Sequence, residues 1–217
     1  MLADPHAAFI RTNTAVEAAP LIPEIRLHLA TEIVPIWRAT EEELAELGVP
    51  PPYWAFAWAG GQAVARYILD NPETVAGRTV LDFASGSGLA AIAAAIAGAE
   101  KVIATDIDPY ASAAIALNAA LNGVSVDVAT GDMIGNRGPW DVVLAGDICY
   151  ERPLADRVTA WLRSLAADGV TVLLGDPGRT YLPKDGLDWV VRYAVKTTRE
   201  LEDTDVRNAV VWRFRQP

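Results

Sequence analysis

Four carboxylates occupy matching places along this sequence, each at or just after the end of a short hydrophobic run that favours a β-strand. They are Asp82, Asp106, Asp132 and Asp147. If the runs are parallel strands of one sheet, their carboxyl ends meet at the edge where open α/β sheets bind ligands. Carboxylates there can accept hydrogen bonds from hydroxyl or amino groups and can attract a cation. We therefore expect the four acids to surround a single ligand site.

A glycine loop joins the first of these runs to an alanine-rich segment. Gly86 and Gly88 permit backbone conformations that are closed to other residues, and residues 89–97 favour a helix. The amides of such a strand-loop-helix junction face a ligand. The pattern Gly86-x-Gly88-x-x-Ala91 also fits the dinucleotide fingerprint of nicotinamide enzymes. Because Asp82 would repel a pyrophosphate, it favours a cofactor that carries an ammonium group, unless it only caps the loop.

Two of the acids suit the adenosine part of a cofactor. Asp106 ends the second hydrophobic run, where an acidic side chain can bind both hydroxyls of a ribose. Asp132 could accept a hydrogen bond from the adenine amino group while Met133 or Ile134 packs on the ring, although an ordinary polar loop is the alternative. Asp108 precedes a proline at a favourable first helical position and is interpreted as a helix cap.

A carboxylate and a phenol three residues apart follow the fourth hydrophobic run. Asp147 and Tyr150 would lie beside the same crevice and could hold an amine, the acid by capture and the phenol by hydrogen bonding or as an aromatic wall. A carboxylate alone stabilises the ammonium form, so Asp147 is not expected to act as a strong base. A helix-capping Asp and a packed Tyr are an equally open alternative. Cys149 is interpreted as a space filler.

An aromatic cluster precedes the glycine loop. Trp54, Phe56 and Trp58 alternate along the chain, a spacing that is typical of core residues. Gly60 and Gly61 follow, and small residues beside a tryptophan leave room for a ligand or for a close approach of the backbone. The sequence leaves open whether this cluster is core or pocket wall.

The elements that must position these residues alternate between strand and helix from Thr79 onward. We predict strands at 79–83, 102–105, 124–129, 142–145 and 170–174, and helices at 62–69, 89–97, 110–121 and 154–165. This alternation indicates a parallel, doubly wound α/β sheet. The last two strand-like runs, Trp189 to Val195 and Ala209 to Phe214, have no helix between them. They predict an antiparallel hairpin at the sheet edge, with its turn at 204–208.

The first 50 residues differ from the rest. They predict a helix near Asp4 to Thr14, a strand containing Ile25, Leu27 and Leu29, and a helix from a capping box at Thr40 to about Gly48, before a proline-rich connector. We expect residues 1–50 to be an extension that packs on one catalytic domain, residues 51–217.

Composition restricts the function. A net charge of −10 and a pI near 4.6 argue against a partner of nucleic acid or anionic membrane. One cysteine and two distant histidines give no metal site and no internal disulfide, which fits the reducing cytoplasm. The N-terminus lacks a signal core, and no apolar run requires a membrane span. We expect a cytoplasmic monomer.

The quoted motifs resemble those of a known enzyme class. Asp82-x-Ala84-x-Gly86-x-Gly88 resembles the first motif of class I S-adenosylmethionine-dependent methyltransferases, with Ala84 in place of the usual first glycine. Asp147-Ile148-Cys149-Tyr150 resembles the Asp/Glu-x-x-Tyr/Phe motif of the seven-β-strand protein-lysine methyltransferases. More narrowly, Pro52 to Ala63 and the chain onward through Tyr150 are similar to the electron-transfer flavoprotein β-subunit lysine methyltransferase family.

This resemblance implies a Rossmann-like class I methyltransferase fold, with a seven-stranded, mostly parallel sheet whose seventh strand is antiparallel. It implies S-adenosyl-L-methionine as cofactor, S-adenosyl-L-homocysteine as product, and Asp147 and Tyr150 as catalytic residues that align a lysine ε-amine. The residues expected at the cofactor are Trp58, Asp82, Ala84, Ser85, Gly86, Gly88, Asp106, Ile107, Asp132, Met133 and Asp147.

The implied substrate is a lysine of the β-subunit of electron-transfer flavoprotein. A ribosomal-protein lysine and a small amine are alternative methyl acceptors. A nicotinamide-dependent oxidoreductase and a non-catalytic cofactor-binding adaptor are alternatives from other functional classes.

Overall fold

The computed structural model describes residues 4–30, 51–197 and 204–216. The helices are α1 Pro5–Asn13, α2 Ala59–Asp70, α3 Leu89–Ile96, α4 Pro109–Leu121 and α5 Leu154–Ala167. The strands are β1 Ala15–Ala19, β2 Ile22–Leu29, β3 Thr79–Phe83, β4 Lys101–Asp106, β5 Asp127–Thr130, β6 Val142–Gly146, β7 Thr171–Asp176, β8 Leu187–Lys196 and β9 Val206–Phe214. From α2 to β7 helices alternate with strands as the sequence predicts, except that β5 is followed directly by β6 without a helix between them.

The main sheet has seven strands in the order β5-β4-β3-β6-β7-β9-β8. Strands β3 to β7 are parallel to one another, whereas β9 pairs antiparallel with both β7 and β8. The predicted α/β sheet, its antiparallel seventh strand and the C-terminal hairpin at the edge are confirmed. Strand order reverses between β3 and β6, and this reversal opens a crevice at their carboxyl ends.

The central strands are hydrophobic without interruption because helices cover both faces of the sheet. In β6, residues Val142, Val143 and Leu144 are fully buried. Helix α3 presents alanines to the sheet, and their small side chains allow close packing. The ionisable Asp82 in buried strand β3 is the exception to this pattern, and its side chain bonds the loop and the helix that follow the strand.

The N-terminal residues pack on the same core as the sheet. Helix α1 begins after Asp4, whose side chain accepts a hydrogen bond from the backbone N–H of His6. Strands β1 and β2 form a hairpin whose buried Ile22, Ile25 and Leu27 belong to the main hydrophobic cluster. The predicted helix and the predicted strand at 25–29 are confirmed. The predicted helix from Thr40 to Gly48 lies outside the described residues.

Three predicted boundaries were wrong. Helix α2 begins at Ala59 rather than Gln62, because the start of the helix packs directly on two strand ends. Strand β5 begins at Asp127 rather than Val124, since its pairing with β4 starts at that residue. Residues 206–208, which were expected in a turn at 204–208, belong to β9 and pair with β8. Among the described helices, none is both long and apolar enough to cross a membrane.

Candidate active site

The glycine loop after β3 has the left-handed backbone that its sequence suggests. Ala84, Gly86 and Gly88 have φ angles of 51°, 53° and 83°. A left-handed conformation costs a residue with a side chain roughly 1–2 kcal/mol, so Ala84 keeps the shape of the motif at an energetic cost. Ala84 thus adopts a left-handed conformation that a glycine would adopt at no steric cost.

Asp82 holds this loop against helix α3. Its side chain is 2% exposed, and Oδ2 accepts hydrogen bonds from the Ser85 hydroxyl and, at 3.0 Å, from the backbone N–H of Ala91. Burial raises the pKa of Asp82 to about 7, against the effect of these hydrogen bonds, and the nearby Asp106 adds to the rise. These contacts match the loop-capping alternative for Asp82. Its pairing with a cofactor ammonium group stays a prediction.

Asp106 lies at the end of β4 and also contacts the loop. Oδ2 accepts a hydrogen bond from the backbone N–H of Gly86 at 2.9 Å, and Oδ1 accepts one from the N–H of Asp108 at 3.1 Å. Burial raises the pKa of this carboxyl above its ordinary value. The interpretation of Asp108 as a helix cap is confirmed, since it accepts the N–H of Tyr110. Ile107 is 73% exposed beside Asp106, an unusual exposure for an apolar side chain.

Asp132 is exposed and bonded within the protein. It accepts a hydrogen bond from the backbone N–H of Ile134 at 2.9 Å and forms an ion pair with Arg157 at 3.0 Å. The first of these contacts is the main cause that lowers its pKa. Met133 is half-buried and packs against the core on one side of the sheet. The expected roles of Asp132 and Met133 at an adenine ring stay predictions. The ion pair of Asp132 with Arg157 was not predicted.

Asp147 anchors three chain segments at the carboxyl end of β6. Its side chain is only 9% exposed. Oδ2 accepts the backbone N–H of Gly61 at 3.0 Å, Oδ1 pairs with Nη2 of Arg179 at 2.8 Å, and the backbone N–H of Asp147 donates to the carbonyl of Gly175. The carboxylate thus stabilises the N-terminus of α2, where a negative charge is favoured.

Glycines allow α2 to reach this position. A Cβ atom on Gly60 would lie 2.6 Å from Asp147 Oδ2 and closer still to the carbonyl oxygen of Gly175. A Cβ on Gly146 would lie 2.7 Å from the nitrogen of Gly61, whereas Gly61 itself has open space around it. Gly60 therefore serves a close backbone approach, which was one of the two interpretations that the sequence left open.

Aromatic rings form a wall beside Asp147. The Tyr53 ring lies 6.1 Å from that of Trp58 and 5.9 Å from that of Tyr150, measured between ring centres. Tyr53 and Tyr150 are 50% and 43% exposed, so both rings border solvent. Burial of the remaining ring surface is the main cause that raises the pKa of Tyr150. Trp54 is buried in the core, in contrast to Trp58.

Arg179, Asp176 and Tyr53 belong to this site and were not predicted from the sequence. Arg179 follows β7, and its guanidinium carbon lies 5.5 Å from the centre of the Trp58 ring while Nη2 binds Asp147. The loop that carries it is held by Asp176, which accepts the backbone N–H groups of Gly178 and Arg179 at 2.6 and 2.7 Å. Asp176 is the last residue of hydrophobic strand β7. A search for acids at strand ends, which identified the other four, would therefore also have identified Asp176.

Cys149 is confirmed as a buried space filler. It is fully buried, and burial together with the neighbouring Asp176 and Asp147 raises the pKa of its thiol to about 12. A thiol with that pKa stays protonated at neutral pH and is a poor nucleophile. Within the part of the chain that the structure describes, no group of three or more His, Cys, Asp or Glu residues could hold a metal ion.

Comparison with known proteins gives three groups of findings. The family model described as "Ribosomal protein L11 methyltransferase (PrmA)" matches residues 63–175. The electron transfer flavoprotein beta subunit lysine methyltransferase of Xenopus laevis is 41% identical over 214 residues, which cover 95% of this chain and 86% of that protein. The human protein of the same name is 40% identical over 216 residues, which cover 95% of this chain and 81% of that protein.

Solved structures share the fold at lower identity. The magnesium protoporphyrin IX methyltransferase of Synechocystis, solved with bound SAM, has a TM-score of 0.53 and 19% identity and covers 71% of this chain and 78% of its own. Thermoplasma acidophilum 1320 has a TM-score of 0.53 and 20% identity, with coverage of 71% and 89%. At these identities the likeness concerns the fold alone.

Proposed function

Because the chain belongs to the family of electron transfer flavoprotein β-subunit lysine methyltransferases, we propose that its substrate is the β-subunit of an electron transfer flavoprotein. The enzyme class and the cofactor follow from the family, so the chain is an S-adenosylmethionine-dependent protein-lysine methyltransferase. The observation that carries the substrate proposal is the similarity to the flavoprotein enzymes along 95% of the chain. The bacterial ribosomal protein L11 methyltransferases match only 42% of it.

The residues at the sheet edge fit the cofactor. The left-handed loop at 84–88 follows a strand and opens helix α3, an arrangement suited to a ligand at a helix N-terminus. Asp106 lies where a ribose is expected, and the exposed apolar Ile107 beside it offers a surface for an adenine ring. We assign the cofactor to this edge, where Asp106 and the loop lie side by side.

The reaction needs alignment more than acid–base chemistry. The cofactor supplies a methyl group activated on sulfonium sulfur, which the neutral ε-amine of lysine accepts in one displacement. In this proposal the lysine side chain passes the neighbouring rings of Tyr150, Tyr53 and Trp58 and reaches the region of the Asp147 carboxylate. Holding the nucleophile at near-attack distance can supply ~7–11 kcal/mol of the barrier reduction. The proton leaves the amine to solvent.

Ribosomal protein L11 is the second candidate substrate, because the PrmA model matches residues 63–175. That match covers the cofactor half of the sheet and ends at β7, so it supports the reaction type more than the substrate. The nicotinamide-dependent oxidoreductase that the sequence left open is not supported by the family.

The test compares kcat/KM for the purified flavoprotein β-subunit with that for L11 and for small amines, using labelled S-adenosylmethionine. We expect the flavoprotein subunit to be the preferred acceptor. Asp147→Ala should abolish this turnover and leave S-adenosylhomocysteine binding measurable by calorimetry. Preferred methylation of L11 would overturn the substrate proposal, and full turnover by Asp147→Ala would remove Asp147 from its proposed role.

We also propose that the enzyme acts as a cytoplasmic monomer without nucleic acid. The net charge of −10 opposes binding to phosphate backbones, and the free buried thiol of Cys149 suits a reducing compartment. Light scattering and cell fractionation test these points. A dimer in solution, or recovery of the protein with membranes, would contradict them.

A further inference from the structure

A fully buried carboxamide on helix α4 connects the N-terminal hairpin to the glycine loop. Oδ1 of Asn118 accepts the backbone N–H of His28 in β2 at 2.8 Å, and Nδ2 donates to the backbone carbonyl of Ser87 at 2.8 Å. The two partners fix the orientation of the amide, since an N–H must meet the oxygen and a carbonyl must meet the nitrogen. Ser87 lies between the two glycines of the cofactor loop.

A second buried carboxamide joins the hairpin to another segment of the site. Oε1 of Gln62, on α2, accepts the backbone N–H of Leu21 in the hairpin turn at 3.0 Å, and Nε2 donates to the carbonyl of Ala57 at 2.6 Å. Ala57 directly precedes Trp58 in the segment that leads into the wall beside Asp147. Each carboxamide therefore joins a backbone group of the hairpin to a backbone group of a site loop.

We propose that the β1–β2 hairpin is a positioning element of the cofactor pocket and acts through Asn118 and Gln62. The Ser87 peptide has a glycine on each side, and glycines allow the backbone to rotate widely. A loop of this kind needs hydrogen bonds from outside to keep one conformation. Helix α4 also supports the loop by packing, because a Cβ on Gly88 would meet Ile115 at 3.3 Å. The inference rests on the cofactor alone and not on the identity of the methyl acceptor.

Asn122 provides a matched control on the same helix. Its Oδ1 accepts the backbone N–H of Arg26 at 2.9 Å, and its Nδ2 donates to the carbonyls of Arg26 and Asn118 at 2.6 and 2.7 Å. Asn122 thus holds the same hairpin as Asn118, one helical turn away. The bonds described for it lead to the hairpin and to its own helix, not to a site loop.

The experiment replaces each carboxamide by an apolar group of similar size. The variants are Asn118→Leu, Gln62→Met and Asn122→Leu, and each is studied at a temperature well below its measured Tm. We expect Asn118→Leu and Gln62→Met to weaken S-adenosylhomocysteine binding about tenfold in calorimetry, which matches the loss of about one hydrogen bond's net contribution. Asn122→Leu should stay within about twofold of wild type even though its Tm also falls.

Kinetics separate positioning from general loosening of the fold. The KM for S-adenosylmethionine should rise in Asn118→Leu and in Gln62→Met. The KM for the protein substrate should stay unchanged in Asn118→Leu, because Ser87 lies in the cofactor loop. If all three variants bind S-adenosylhomocysteine equally well, the hairpin only stabilises the fold and the proposal is wrong. Should Asn118→Leu fail to fold, Gln62→Met at the other end of the hairpin still decides between the two outcomes.

Discussion

Arg179 and Asp147 form an ion pair of 2.8 Å at the aromatic wall, while the second oxygen of Asp147 accepts the N–H of Gly61 that opens helix α2. The Asp147 carboxylate is therefore already paired with a cation when the substrate amine enters the site. A carboxylate alone would hold the amine in its ammonium form, and a neighbouring guanidinium opposes that effect. The pair therefore suits a site whose nucleophile must be a neutral amine.

Removal of the Arg179 charge should damage both stability and turnover. Arg179→Met leaves a buried carboxylate without this partner, and we expect a loss of roughly 2–4 kcal/mol in the free energy of unfolding, since the pair is largely buried. Turnover should fall because Asp147 loses its fixed orientation. Urea unfolding and initial rates measure the two effects. Arg215→Met breaks the exposed pair with Asp188 and should cost less than about 1 kcal/mol. Equal losses in both variants would contradict this account.

Two adjacent glycines should respond in opposite ways to alanine. Gly60→Ala places a methyl group against Asp147 Oδ2 and the carbonyl of Gly175, so we expect a loss of about 3 kcal/mol or more. Gly61→Ala enters open space and keeps the N–H that Asp147 needs. Because alanine favours helix, Gly61→Ala should leave the free energy of unfolding unchanged or raise it by up to ~1 kcal/mol. Thermal unfolding of both variants tests whether α2 contacts the sheet closely at Gly60. Similar Tm values for the two variants would contradict that contact.

Asp82 should make stability depend on pH. Burial raises its pKa to about 7 in the folded state, above its ordinary value of 3.8. Between pH 3.8 and about pH 7 the folded protein therefore keeps Asp82 protonated while the unfolded protein does not. The contribution of this proton to the free energy of unfolding is present at low pH and is lost as the pH rises towards 7. Asp82→Asn removes this titration. The stability of wild type relative to Asp82→Asn should decrease between pH 5 and pH 8 in urea unfolding. A constant difference between the two proteins would show that Asp82 is not the titrating group.

Ala84 should tolerate the glycine that the motif usually has. Its φ of 51° costs roughly 1–2 kcal/mol, and a glycine there loses only ~0.4–1 kcal/mol through the greater freedom of the unfolded chain. We expect Ala84→Gly to stabilise the protein by about 0.5–1 kcal/mol. The opposite substitution at a neighbouring position, Gly86→Ala, should destabilise the protein, because an alanine at a φ of 53° has the same backbone strain as Ala84. A lower Tm for Ala84→Gly would mean that the loop has a different conformation in solution.

Much of the sheet could be predicted because its physical signal is local. Buried parallel strands such as β3 and β6 are largely hydrophobic runs, and each has an acid within one residue of its end. The terminal hairpin followed from two such runs without a helix between them. Strand β1 was missed, since three of its five residues are exposed and its sequence has no strand-like alternation.

The partners of the site residues could not be predicted, because they come from distant parts of the chain. Arg179 lies 32 residues from Asp147, and Asn118 lies 90 residues from His28. No spacing rule connects such pairs, which meet only after the sheet has formed. The sequence indicated where carboxylates gather, and the structure shows which of their oxygens the protein itself already uses.

Tandem mass spectrometry of the flavoprotein β-subunit after reaction with this enzyme and S-adenosylmethionine tests the central claim most directly. We predict methyl groups on lysine ε-nitrogens of that subunit, and none when Asp147→Ala replaces the wild-type enzyme. A methyl group on another residue type would contradict a lysine site at Asp147 and Tyr150. An unmodified β-subunit, under conditions in which the enzyme methylates L11, would contradict the proposed substrate.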